Sequence, residues 1–87
     1  MRQVIIDGHA IADRQELHKA LADGLALPEW YGNNLDALSD CLSEISEDTV
    51  IAVTNFEALE ATLGRYAHSL LKVLWHAAEE NPHIRLI

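Results

Sequence analysis

No lysine or arginine occurs between Ala20 and Gly64, although nine of the fourteen Asp and Glu residues fall in that stretch. All six basic residues lie nearer the ends, at Arg2, Arg14, Lys19, Arg65, Lys72 and Arg85, and the formal net charge is −8. Binding a nucleic-acid backbone draws on clustered Lys and Arg for counterion release, so that class of partner is excluded. Anionic membrane surfaces are disfavoured for the same reason. A single cysteine, Cys41, excludes an intramolecular disulfide framework. No apolar run approaches the roughly 18 residues of a membrane span. The N-terminus lacks a charged segment followed by a long apolar one, so no signal peptide is read and the cytoplasm is the expected compartment. His9, His18, His68, His76 and His83 lack the paired spacing of a zinc motif, and neither metal nor cofactor is expected.

What is present fits one small domain spanning residues 1–87. Nearly half of the residues are hydrophobic, too many for a disordered acidic chain. Gln3-Val4-Ile5-Ile6 reads as a short strand ended by the turn pair Asp7-Gly8. Asp13 followed three residues later by Glu16 opens a first helix with a capping box, and Gly24 is the expected stop. Asn33 or Asn34 caps a second helix, in which Leu35, Leu38, Leu42 and Ile45 recur at helical spacing. Thr49 to Val53 is a continuous β-branched run, suited to a central parallel strand. Asn55 is the expected cap of a third helix through Leu63, with Gly64 as its stop. A fourth runs from about Arg65 to Glu80, and Asn81-Pro82 breaks it before a closing strand from His83 to Ile87. Strands separated by helices predict a two-layer α/β domain with a three-stranded parallel sheet and about four helices.

The second helix carries the densest polar pattern. Asp36 and Asp40 lie four apart and project from one face, Ser39 and Ser43 extend it, and the leucines occupy another. Like charges at this spacing mildly destabilise a helix, although a solvated acidic face is a common surface feature. Glycoside hydrolysis also uses two carboxyls, but across a cleft and in unlike environments, and this exposed pair has neither. Catalysis is therefore not expected. Just before the helix, Pro28-Glu29-Trp30-Tyr31-Gly32-Asn33-Asn34 places two large aromatics side by side in a loop. One of them in the core and the other outside is the plain structural reading. Aromatics beside a charged helix face also have the composition of a protein-binding hot spot.

The run from Leu25 to Leu42, Leu-Ala-Leu-Pro-Glu-Trp-Tyr-Gly-Asn-Asn-Leu-Asp-Ala-Leu-Ser-Asp-Cys-Leu, closely resembles the signature of the barstar family, intracellular inhibitors of barnase-type ribonucleases. The opening Val-Ile-Ile-Asp-Gly, the Leu17-His18 pair and the order of elements extend the likeness over the whole chain. The resemblance implies a barstar-like fold and a stoichiometric 1:1 inhibitor or immunity protein, monomeric when free. Its loop and second helix would plug the active site of a guanyl-specific microbial ribonuclease or a related toxin. It implies that Asp40 takes the place of a substrate phosphate with Asp36 as its helper. Tyr31, Gly32, Asn34 and Leu35 match the family's binding surface, Trp30 replaces a family tyrosine, and Glu80 matches a further acidic contact. Ser39 stands where the family has a tryptophan, and His76 where it has a glutamate. Glu44 and Ile45 replace a glycine and a tryptophan, and Pro82 replaces a second cysteine. Ser39 and Ser43 complete the expected partner face on the second helix. The alternative from another class is a small acidic carrier or adaptor domain resembling acyl carrier proteins, for which Ser39 lies too deep in its helix.

Overall fold

The computed structural model describes residues 1–87. Strand β1 (Arg2–Asp7) runs into a single 3-10 turn at Gly8–Ala10 and then helix α1 (Arg14–Leu25). Helix α2 (Leu35–Ser43) follows the aromatic loop and leads to strand β2 (Thr49–Thr54). Helices α3 (Phe56–Leu63) and α4 (Arg65–Glu80) then return the chain to strand β3 (Ile84–Leu86). The sheet order is β1-β2-β3, with both pairings parallel. Val4 aligns with Ile51 across the first pairing, and Ile51 with Leu86 across the second. The β-branched run therefore occupies the central strand, as its continuity predicts.

Alternation along the strands sets the layering. Val4, Ile6, Thr49, Ile51 and Ile84 face the helices and are buried, while Gln3, Ile5 and Arg85 face outward. The helices contribute Leu17, Leu21, Leu25, Leu38, Leu42, Leu59, Leu70 and Leu74 to the same core. Burying such leucines is worth about 1.5–3 kcal/mol each, the main return on ordering so short a chain. The observed sheet also removes the all-helical carrier reading.

Three local expectations are corrected. Gly24 does not stop α1, which continues to Leu25 before Ala26 takes the left-handed conformation at φ 52°. The Ala26 and Leu27 N–H groups both return to the Ala22 carbonyl. Gly24 instead lets helix and sheet approach closely, because a Cβ there would stand 2.7 Å from Val4 Cγ1. Asn55 makes no side-chain cap to α3 and sits at φ 53°. Its amide donates to Asp7 Oδ1 at 2.8 Å, tying the start of α3 to the end of β1. The approach is possible because residue 8 is glycine, since a Cβ at Gly8 would fall 2.1 Å from the Asn55 carbonyl oxygen. Helix α2 also ends earlier than its apolar repeat suggests: it stops at Ser43, and Ile45 lies beyond it, its N–H returning to the Leu42 carbonyl at 3.3 Å. Gly64 stands at φ 60° between α3 and α4, as the sequence leads one to expect.

Candidate functional site

Helix α2 starts at Asn34, whose Oδ1 accepts the Ala37 N–H at 2.8 Å. Its amide nitrogen donates back to the Gly32 carbonyl at 3.2 Å, so one side chain joins the loop to the helix. Of the two candidate caps, Asn34 is the one used. Asn33 precedes it at φ 54°, in the left-handed region that asparagine tolerates. Inside the helix, Leu38, Cys41 and Leu42 are buried. That burial fixes the roll of α2 and turns Asp36, Ser39, Asp40 and Ser43 outward, where all four are exposed.

No hydrogen bond or ion pair inside the chain occupies the Asp36 or Asp40 carboxylate. The Ser43 hydroxyl, by contrast, is held by donating to the Asp40 backbone carbonyl at 2.7 Å. Asp36 also lies in the first turn, where the helix dipole favours a negative charge. Cys41 lies beneath this acidic row. Burial pushes its thiol pKa up, and the nearby Glu44 and Asp40 charges push the same way. An inert, packed thiol results rather than a nucleophile.

The neighbouring aromatics divide as the sequence allows. Trp30 is 75% exposed and Tyr31 only 7%. Leu35 is half-buried, while Gly32 and Asn34 are exposed at the turn into α2. Tyr31 thus supports the loop from within, and Trp30 is the aromatic that the surface presents.

Beside α2 runs an open groove of about 800 Å³, shared with the second half of α4. Ser39, Ser43, Ile45, His76 and Glu80 are among its lining residues. Glu80 is exposed and stands 3.9 Å from His76 Nε2. The structure therefore brings Ser39, Ser43 and Glu80 together, and four of the positions at which the sequence departs from the pattern it resembles, Ser39, Ile45, His76 and Pro82, line the same groove. Asp36, Asn34 and Leu35 line a second groove of about 460 Å³ on another side of α2, together with Arg14, Gln15, His18, Asn33 and Tyr66. Trp30 and Asp40 line neither of these grooves. No group of three or more His, Cys, Asp or Glu side chains is arranged to hold a metal ion.

Sequence reading passed over the residue that ties this surface to the rest of the fold. His18 is 1% exposed, with Nδ1 2.6 Å from the Tyr31 hydroxyl and Nε2 2.6 Å from the Tyr66 hydroxyl. Arg14 stacks over the Tyr66 ring with its guanidinium carbon 4.0 Å from the centroid. Burial lowers the His18 pKa, and the Arg14 charge lowers it further, which keeps the imidazole neutral at pH 7. Burial raises the pKa of both tyrosines, keeping their hydroxyls protonated as hydrogen-bonding groups. One signal was available in the sequence: His18, Leu21 and Leu25 fall at helical spacing on one stripe of α1, so His18 faces inward.

Comparisons with known proteins point to the family that the sequence resembles. Over 81 residues the chain is 42% identical to the protein named "Putative ribonuclease inhibitor YrdF" of Bacillus subtilis (strain 168), covering 92% of this chain and 89% of that one. The family described as Barstar (barnase inhibitor) matches residues 1–86. On sequence, on the order of its elements and on its two-layer architecture, the chain belongs to the barstar family.

Proposed function

We propose that this protein is a ribonuclease inhibitor of the immunity or antitoxin type. It acts in the cytoplasm as a free monomer that binds one molecule of a barnase-type, guanyl-specific ribonuclease or related toxin. The observation that carries the reading is the exposed row on α2, in which Asp36 and Asp40 have no partner within the chain. A ribonuclease holds a phosphodiester among cationic side chains, and a carboxylate can take the place of that phosphate. Asp40 is assigned the phosphate position, Asp36 supports it from one turn earlier, and Glu80 adds a charge from α4. Trp30, with the turn through Gly32, Asn34 and Leu35, supplies the apolar rim, and Tyr31 holds that rim from beneath. Ser39, Ser43 and His76 leave an open groove at the edge of this surface, which sets the shape of the enzyme that fits. The protein performs no reaction in this account. It inhibits by occupying a site.

The test is RNA cleavage by a panel of barnase-type ribonucleases, including any encoded beside this gene, measured against inhibitor dose. Loss of activity at a 1:1 ratio is expected for the cognate enzyme. Full activity of every enzyme at excess inhibitor would overturn the reading. With a responsive enzyme, Asp40→Ala is expected to weaken binding by about 2–5 kcal/mol, the usual effect of truncating one member of a desolvated charge pair. Asp36→Ala should weaken it less, and both variants should lose part of the salt dependence. Equal affinity for all three proteins would remove Asp40 from its role.

A further inference from the structure

We propose that His18 is a positioning residue, which braces the Trp30–Asn34 loop against α1 and α4 through the hydroxyls of Tyr31 and Tyr66. The proposal rests on the reading that this loop meets a ribonuclease, and it adds the device that keeps the loop in shape before the enzyme arrives.

The geometry is that of a strut. Three chain segments far apart in sequence meet at one imidazole: α1 supplies His18, the loop supplies Tyr31 and the first turn of α4 supplies Tyr66. Both ring nitrogens are used, and no buried side-chain polar atom in the chain lacks a partner. A neutral imidazole offers one donor and one acceptor, so it satisfies both hydroxyls without a charge. Arg14 secures the far end by stacking on Tyr66, whose ring also contacts the imidazole edge-on at a centroid distance of 5.9 Å. The charged groups facing this site are Arg14 from α1 and Asp36 from α2, both lining the groove that His18 and Tyr66 share.

From Trp30 to Asn34 only Tyr31 is buried in the core, and hydrogen bonds that fix the tip are few. The Tyr31 N–H bonds to the Pro28 carbonyl at 2.9 Å, and the Asn34 side chain bonds to Gly32 and to α2. Trp30 itself is three-quarters exposed and gains no anchorage from the core. Order in the loop therefore passes through its neighbour, Tyr31, whose ring packs in the core and whose hydroxyl is held by His18. Pre-ordering of a binding loop lowers the entropy lost on association. The strut thus contributes to affinity without touching the enzyme.

Amide hydrogen exchange tests this without any partner. Removing the Tyr66 hydroxyl, in Tyr66→Phe, takes away one buried hydrogen bond, and exchange at the Tyr31 amide should rise about fivefold. Amides of the central strand β2 should keep their protection. His18→Asn and His18→Gln refine the result, because the Asn amide reaches the Nδ1 position facing Tyr31 and the Gln amide reaches the Nε2 position facing Tyr66. Loop protection should be retained better by His18→Asn. Unchanged loop protection in Tyr66→Phe, or a loss spread over loop and sheet alike, would overturn the proposal, the second outcome marking a general contribution to stability. Against a ribonuclease that the wild-type chain inhibits, Tyr66→Phe should weaken inhibition by a factor similar to its effect on loop exchange. If the wild-type chain inhibits no ribonuclease, the inhibitor reading falls, and the exchange data still decide whether the strut holds the loop.

Discussion

Buried between two tyrosine hydroxyls, His18 remains neutral in a pH range where a free histidine begins to protonate. Its folded pKa lies below the unfolded value of about 6.5, so the unfolded chain takes up a proton first as the pH falls. The stability contributed by keeping this ring neutral is complete well above that value and declines as the pH drops through and below it. Urea denaturation should therefore show a wild-type midpoint that falls between pH 7.5 and pH 5 more steeply than that of His18→Gln. Parallel pH profiles would contradict the assignment. Cys41 makes a second prediction at this scale: its raised pKa and burial should make it slow to react with a thiol reagent at pH 8, and urea should restore the rate. His18 also marks the limit of sequence reading. The acidic row and the aromatic loop are contiguous in sequence, so spacing alone nominates them as one candidate surface. His18 lies 13 residues from Tyr31 and 48 from Tyr66, and no local pattern connects the three.

The ends of the helices are set by single residues whose effects are separable. Asn34→Ala removes the bond to the Ala37 N–H and should cost about 1 kcal/mol of stability by denaturant unfolding. It should also weaken inhibition, because the same side chain joins the loop to α2. At the end of α1, Ala26 holds a left-handed conformation that a side chain disfavours. Ala26→Gly relieves that strain and gives back part of the gain through a freer unfolded chain, for a net stabilisation of about 0.5 kcal/mol. Gly24→Ala should do the reverse despite alanine's better helix propensity, since its Cβ would press on Val4. That contrast explains the misplaced helix end. Glycine near the end of a helical pattern signals both a left-handed stop and a close approach, and the choice here depends on a strand 20 residues earlier in the chain. Asn55 does hold the N-cap position that the sequence assigns it, but its side chain is claimed by Asp7, far from it in sequence and near it in space. The hydrogen bond from Asn55 is the main cause of the lowered Asp7 pKa, with the His9 N–H adding to it.

Over the whole molecule, the net charge of −8 and the basic-free stretch from Ala20 to Gly64 place α2 and its loop in an acidic field. Such a field attracts a basic enzyme from a distance and speeds encounter, while a few residues at contact determine the lifetime of the complex. Raising ionic strength from about 0.01 M to 0.15 M shortens the screening length from roughly 30 Å to 8 Å, so association should slow markedly while dissociation changes little. The parallel architecture was legible because one β-branched run is long enough for a central strand and the strands alternate with capped helices. The grooves on either side of α2 were not, since they depend on how α4 and α1 pack beside it. The central claim is that the α2 carboxylates occupy the phosphate site of a ribonuclease. Its most direct test is inhibitor affinity for the cognate ribonuclease, measured over a range of concentrations of a nucleoside 3′-phosphate. Apparent affinity should fall in proportion to nucleotide occupancy, and Asp40→Ala should weaken that competition. An affinity that stays constant while the nucleotide saturates the enzyme would contradict the account.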